Sequence, residues 1–72
     1  MYKVGDRVQI ECEGTTVEGT IVLASSNGVS LIIQFETILR GHGGIIPVLM
    51  SDDMHGCSIV NNVPVVIRPS EG

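Results

Sequence analysis

The side chains able to do chemistry in this chain are few, and most fall in two short segments. His42 stands among glycines in Arg40-Gly41-His42-Gly43-Gly44, and His55 closes the turn Asp52-Asp53-Met54-His55. Cys12 and Cys57 are the only thiols. His55 and Cys57 are two residues apart, so on a strand they share a face and could both reach one ion. Zinc sites, however, carry paired CxxC or HxxxH spacings, and neither is present. No metal or other cofactor is therefore expected. Cys12 and Cys57 fall where a strand interior takes a small apolar residue, which reads as two buried, inert thiols.

Arg40 and His42, with the backbone amides of the glycine-rich loop, could hold an anion. The segment is not a phosphate loop: it lacks the GxxxxGK core, and no helix follows to offer its N-terminus. The plainer reading is a chain turning sharply between strands, with Arg40 and His42 solvated. A small-ligand or metal-binding site would draw on Arg40, His42, Asp52, Asp53 and His55. The two segments precede and follow one strand, so they need not share a barrel end. No catalytic set is assigned, because His55 and Cys57 on one strand rarely reach nucleophile–base geometry, and adjacent Asp52 and Asp53 point apart.

The elements that must position these groups read as strands. Val4 to Glu13 alternates, with Val4, Val8, Ile10 and Cys12 inward and Arg7, Gln9, Glu11 and Glu13 outward. After Gly14 a second strand runs from Thr16 to Ala24, with Val17, Gly19, Ile21 and Leu23 inward. A third runs from Val29 to Glu36, with Val29, Leu31, Ile33 and Phe35 inward. A two-residue loop at Asn27-Gly28 would oppose an inward to an outward residue. A three-residue loop, Ser26-Asn27-Gly28, instead pairs Leu23 with Leu31 and Ile21 with Ile33. Gly28 then takes the left-handed position of a type I turn with a G1 bulge. The same register sets Gly19 opposite Phe35, leaving room for the ring.

Residues 37–44 lose the alternation and read as an irregular loop, with one short helical turn at Thr37 to Leu39 as an option. Ile45 to Ser51 is again a strand, apolar on both faces, with Pro47 on an edge side or at a bulge. After a second turn, Cys57 to Val60 and Val63 to Arg68 form a hairpin around Asn61-Asn62. Pro69 to Gly72 is a flexible tail. Five or six short strands in a single domain, 1–72, predict an all-β, small antiparallel barrel, closed so that no long edge is left exposed.

The segment VGDRVQIECEGTTVEGTIV resembles the opening of Src-homology-3-like barrels of the KOW type, through Gly5, Asp6 and Val8 and then Gly19, Thr20 and Ile21. That resemblance covers about a quarter of the chain. It implies the barrel fold, and in KOW domains it goes with RNA or ribosomal-protein binding by basic residues near the turn. The matching positions here are Glu11, Glu13 and Glu18. FETILRGHGGIIPVL is also similar to short bacterial proteins of unassigned function, which implies no activity. The arginine-rich lead-in of cyclic-dinucleotide-binding PilZ barrels is missing.

Charge agrees with that departure. The net charge is −4, from eight acidic and four basic residues: Lys3, Arg7, Arg40 and Arg68. Phosphate neutralisation needs more cations, which argues against a nucleic-acid or anionic-membrane partner. The longest apolar run, Ile45 to Met50, is far short of a membrane span. Charges at Lys3, Asp6 and Arg7 precede any apolar run, so the expectation is a cytoplasmic protein with no signal peptide and reduced thiols.

What remains is the outer face. In the expected register Val22 pairs with Ile32 outside, flanked by Ala24, and the strand from Ile45 must turn half of its apolar residues outward. A domain this small would expose a sizeable apolar patch built from Val22, Ile32, Ile45, Pro47 and Leu49. The expectation is a protein-interaction module that forms a homo-oligomer, most simply a dimer, or docks on another protein.

Overall fold

The computed structural model of the chain describes residues 2–39 and 42–70, with side chains at 2–35 and 44–70. Six strands follow in order: β1 (Arg7–Cys12), β2 (Thr15–Ala24), β3 (Ser30–Leu39), β4 (His42–Met50), β5 (His55–Ser58) and β6 (Pro64–Pro69). Each pairs antiparallel with the next, and β6 returns to β1, so the sheet closes into a barrel. The all-β antiparallel barrel expected from the alternation is present, with six strands.

Period-2 patterning decides what fills it. Val8, Ile10 and Cys12 of β1, Ile21 of β2, Leu31, Ile33 and Phe35 of β3, Ile46, Val48 and Met50 of β4, and Val65 and Ile67 of β6 form one aliphatic core with a single ring. The short β5 turns only Gly56 and Ser58 inward. A tight loop joins β1 to β2: Cys12 pairs with Thr15, and Glu13 and Gly14 between them both have positive φ, at 50° and 87°. That is the type I′ geometry whose twist matches the strands it connects.

Several details differ from the sequence reading. Val4 is 61% exposed, because the chain turns at Val4-Gly5 before β1 begins. Ile21↔Ile33 and Gly19↔Phe35 pair as expected, but a β-bulge between Ile21 and Leu23 shifts the rest by one. Leu23 therefore pairs with Ile32 and Ala24 with Leu31, not Val22 with Ile32 and Leu23 with Leu31. The bulge sits within the strand rather than beside the turn, and it sends Leu23 outward and Ala24 toward the core. Gly28 does take a positive φ of 73°, in a turn closed by its N–H donating to the Ser25 carbonyl at 3.0 Å. Val29 precedes β3 and lies at the surface.

At Gly19 the crowding atoms are not those of Phe35. A methyl group there would come within 2.7 Å of the Gln34 carbonyl oxygen and 2.9 Å of Ile33 Cγ2. The segment read as an irregular loop is instead the end of a hairpin: Ile38 pairs with Gly43 and Leu39 with His42. No helical turn interrupts it at 37–39. Strand pairing in the last hairpin stops earlier than expected. Cys57 pairs with Pro64, Ser58 N–H donates to the Val63 carbonyl at 2.9 Å, and Ile59 to Asn62 form the turn. Pro69 belongs to β6 and pairs with Val8, and Ser70 N–H donates to the Arg7 carbonyl at 2.9 Å. Residues 71–72 of the expected tail lie outside the described residues.

Pro47 lies within β4, opposite Ile32. Its carbonyl accepts from Ile59 N–H at 3.0 Å, so its backbone groups face the β5 side. There β5 has given way to a turn, and the missing N–H removes no rung from the ladder to β3.

Candidate functional site: an uncharged outer face

Charge is segregated round the barrel. Residues 19–35, 43–51 and 56–67 contain no Asp, Glu, Lys or Arg. The described ion pairs between such residues lie on β1, β6 and the start of β2. Arg7 donates to Glu18 Oε1 at 3.0 Å and to Thr20 at 2.8 Å, and Arg68 donates to Glu11 at 3.2 Å. Glu18 also accepts from the Ser70 hydroxyl. That bond first, and Arg7 second, hold its carboxyl below the usual range.

The opposite side, where β2, β3, β4 and β5 meet, is aliphatic outside as well as inside. Leu23, Ile32 and Pro47 stand in register across three strands, and the Ile59–Pro47 bond extends that row to the end of β5. Leu49 pairs with Ser30 and Cys57 on one side of the row, and Ile45 pairs with Gln34 on the other. Leu23 is 55%, Ile45 48%, Leu49 45% and Ile59 58% exposed, and Ile32 and Pro47 are half-buried between them. The expected interface residues Val22, Ile32, Ile45, Pro47 and Leu49 thus all lie on this outer side. Leu23 and Ile59 were missed. A bulge that turns Leu23 outward leaves no mark in the alternation, and Ile59 had been read inside a strand.

The candidate ligand residues are placed differently. Arg40 lies outside the described residues, and only the backbone of His42 is described. His42 and Asp52 flank opposite ends of the nine-residue β4, which at about 3.3 Å per residue separates its ends by roughly 26 Å. The two segments therefore do not form one site. Asp52 and His55 do meet: His55 Nδ1 lies 3.1 Å from both Asp52 carboxylate oxygens. Asp52 Oδ1 also accepts from the backbone N–H groups of Met54 at 2.8 Å and His55 at 2.7 Å. The carboxylate is thus the cap of its own turn. Asp53 takes no part in that described contact; its charge acts on Tyr2. Burial first, then the charges of Asp53 and Asp6, raise the Tyr2 phenol above its ordinary value, and the hydroxyl donates to the Ile67 carbonyl at 3.2 Å.

Cys12 is buried in the core, but Cys57 is half-buried on the outer face beside Leu49, so it is not the core thiol the alternation suggested. Ser58, fully buried, holds the inward position instead.

The Asp52 cap makes a prediction about acid. Bonds from Met54 and His55 hold its carboxyl below the ordinary 3.8. A group depressed in the folded state stabilises the fold above its unfolded pKa and loses that contribution as pH falls through the folded value. Asp52→Ala is expected to lower the urea midpoint near pH 6 and to narrow the gap to wild type as pH approaches about 2. A gap that stayed constant over that range would show that the carboxylate charge does not hold the turn.

Fold and surface together define a class: a closed six-stranded antiparallel β-barrel with its described Arg–Glu ion pairs on one side and an aliphatic sheet face on the other. Comparison with known proteins finds no matching protein family, no matching curated protein and no matching solved structure. Among the described residues no helix is long and apolar enough to cross a membrane.

Proposed function

We propose that this chain is a non-enzymatic protein-interaction module, a Src-homology-3-like barrel that self-associates as a dimer through the outer face of β2 to β5. The observation that carries this reading is the row Leu23–Ile32–Pro47–Ile59, flanked by Ile45 and Leu49, with no ionic side chain among them. An apolar patch is ordinary on a monomer up to about 300–600 Å² and beyond that marks an interaction site. A two-fold contact needs one patch to meet its own copy, and an uncharged aliphatic face sets no like charges against each other when it does. A cytoplasmic setting belongs to the same reading.

Solution mass by light scattering tests it. The expected mass is twice the 7.7 kDa of one protomer and independent of dilution until the dimer dissociates. Leu23→Lys and Ile59→Lys, both at exposed positions, are expected to give folded monomers, because each buries an unpaired ammonium in the contact. Ile32→Arg is expected to do the same from the middle of the row. A wild-type protein monomeric at high concentration would overturn self-association. Lysine variants that keep the dimer would move the interface to another face.

A further inference from the structure

The β2–β3 ladder begins at Gly19 and Phe35, yet β2 starts at Thr15 and β3 runs on to Leu39. Before that first rung the two strands part, and each keeps its other neighbour. Thr15 to Glu18 stay paired with β1, and Ile38 and Leu39 stay paired with β4. The β3–β4 register shifts between Gln34 and Ile38, at the place where β3 leaves β2. Between the diverging strands lies an open cleft of about 630 Å³, with Thr16, Val17 and Glu18 on one wall and Gln34 and Phe35 on the other.

The backbone of β2 gives this cleft its polarity. Ile21 N–H donates to the Asp6 carbonyl at 2.9 Å, and its carbonyl accepts from Gly5 N–H at 2.8 Å, so its backbone groups face the β1 side. Along a strand these groups alternate sides. Thr16 and Glu18 therefore direct their N–H and C=O groups away from β1 and into the fork, where no described strand pairs with them. The floor is apolar: Val17 packs against the core, and Phe35 belongs to it. Arg7 and Thr20 form a polar rim.

We propose that this fork is a peptide-binding site that takes an extended segment of a partner protein as an added strand on β2. The partner's main chain supplies carbonyls to Thr16 and Glu18 N–H and amides to their carbonyls. The two-residue spacing of those groups fits an extended chain and not a helix. Alternation fixes the side chains: aliphatic residues rest on Val17 and Phe35, and polar residues between them face the rim. The Thr16–Glu18 edge of this surface lies outside the aliphatic face of β2 to β5, which the cleft meets at Gln34 beside Ile45, so the proposal does not rest on self-association.

The probe is the peptide acetyl-KTVTVTK-amide, titrated into ¹⁵N-labelled protein to about 2 mM, a range that captures weak contacts. Shifts are expected at Thr15 to Gly19, Gln34 and Phe35, with slowed amide exchange at Thr16 and Glu18. Thr16→Pro removes the donor facing the fork but no rung to β1, and is expected to weaken binding at least about tenfold. Two N-methylated peptides keep the test independent of that variant's folding. The threonine amides and the valine amides lie on opposite edges of the added strand, so methylating one set abolishes binding and methylating the other preserves it. Absence of any shift, shifts confined to Val22, Ile32 or Leu49, or equal binding by both methylated peptides and the parent would overturn the proposal.

Discussion

Gly19→Val is expected to cost more than about 3 kcal/mol and to remove a large part of the stability of the fold. A Cβ at this position would stand 2.7 Å from a backbone oxygen, Gln34 O, and 2.9 Å from Ile33 Cγ2, itself locked in the core. Neither neighbour can yield without separating β2 from β3 at the first rung of their ladder. Overpacking in a dense core costs about 1–3 kcal/mol and more where backbone must move. A domain of this length holds only about 4–11 kcal/mol in total. Gly19→Ala is expected to lose about 2–3 kcal/mol and Gly19→Val more, read as a fall in the urea midpoint. A midpoint unchanged for Gly19→Ala would mean that β2 and β3 are farther apart there than described.

Ile33→Ala is expected to be comparably severe for the opposite reason. Ile33 is fully buried at the middle of β3, paired with Ile21 on one side and Ile46 on the other, both also fully buried. Truncating an isoleucine in such a site costs about 2–5 kcal/mol, the upper end where the cavity cannot collapse. Two β-branched neighbours tied to ladder rungs leave little freedom to collapse. Ile45→Ala is the internal control: the same residue type, next to Ile46 along β4 but facing outward, is expected to change monomer stability by less than about 1 kcal/mol. Equal losses at the two positions would contradict the assignment of Ile33 to the inner face of β3 and Ile45 to the outer face of β4.

The contrast between Ile33 and Ile45 marks what the sequence made legible. Where one face is polar, as at Arg7 to Cys12, alternation alone places every side chain, and the core residues of β1 follow directly. At Ile45 to Met50 both faces are apolar, and the choice of inward residues came from pairing with β3, which the sequence does not print. The β2–β3 register was legible up to Ile21 because Ile33 and Phe35 must share its side. It was lost at Leu23, since a bulge changes the facing of a residue without changing its type. Residues 37–44 were misread because glycines around His42 erase the alternation even though Ile38 and Gly43 pair. Of the surface features, the outward half of β4 was visible in advance. The fork was not, because it arises from where two strands cease to pair rather than from any residue that announces it.

Pro47 carries a consequence for how far assembly can go. Before Val48 the β5 side of β4 has no partner strand among the described residues, so another chain could add there edge to edge and seed a fibre. At Pro47 that margin offers no N–H, and its carbonyl is already occupied by Ile59. Growth strand upon strand is thereby blocked at the point where the surface is most aliphatic. Contact through the broad face of the sheet stays open, and a two-fold contact of that kind is complete once two copies have met. In the proposed dimer, one imino acid would thus separate a surface that closes on itself from one that polymerises.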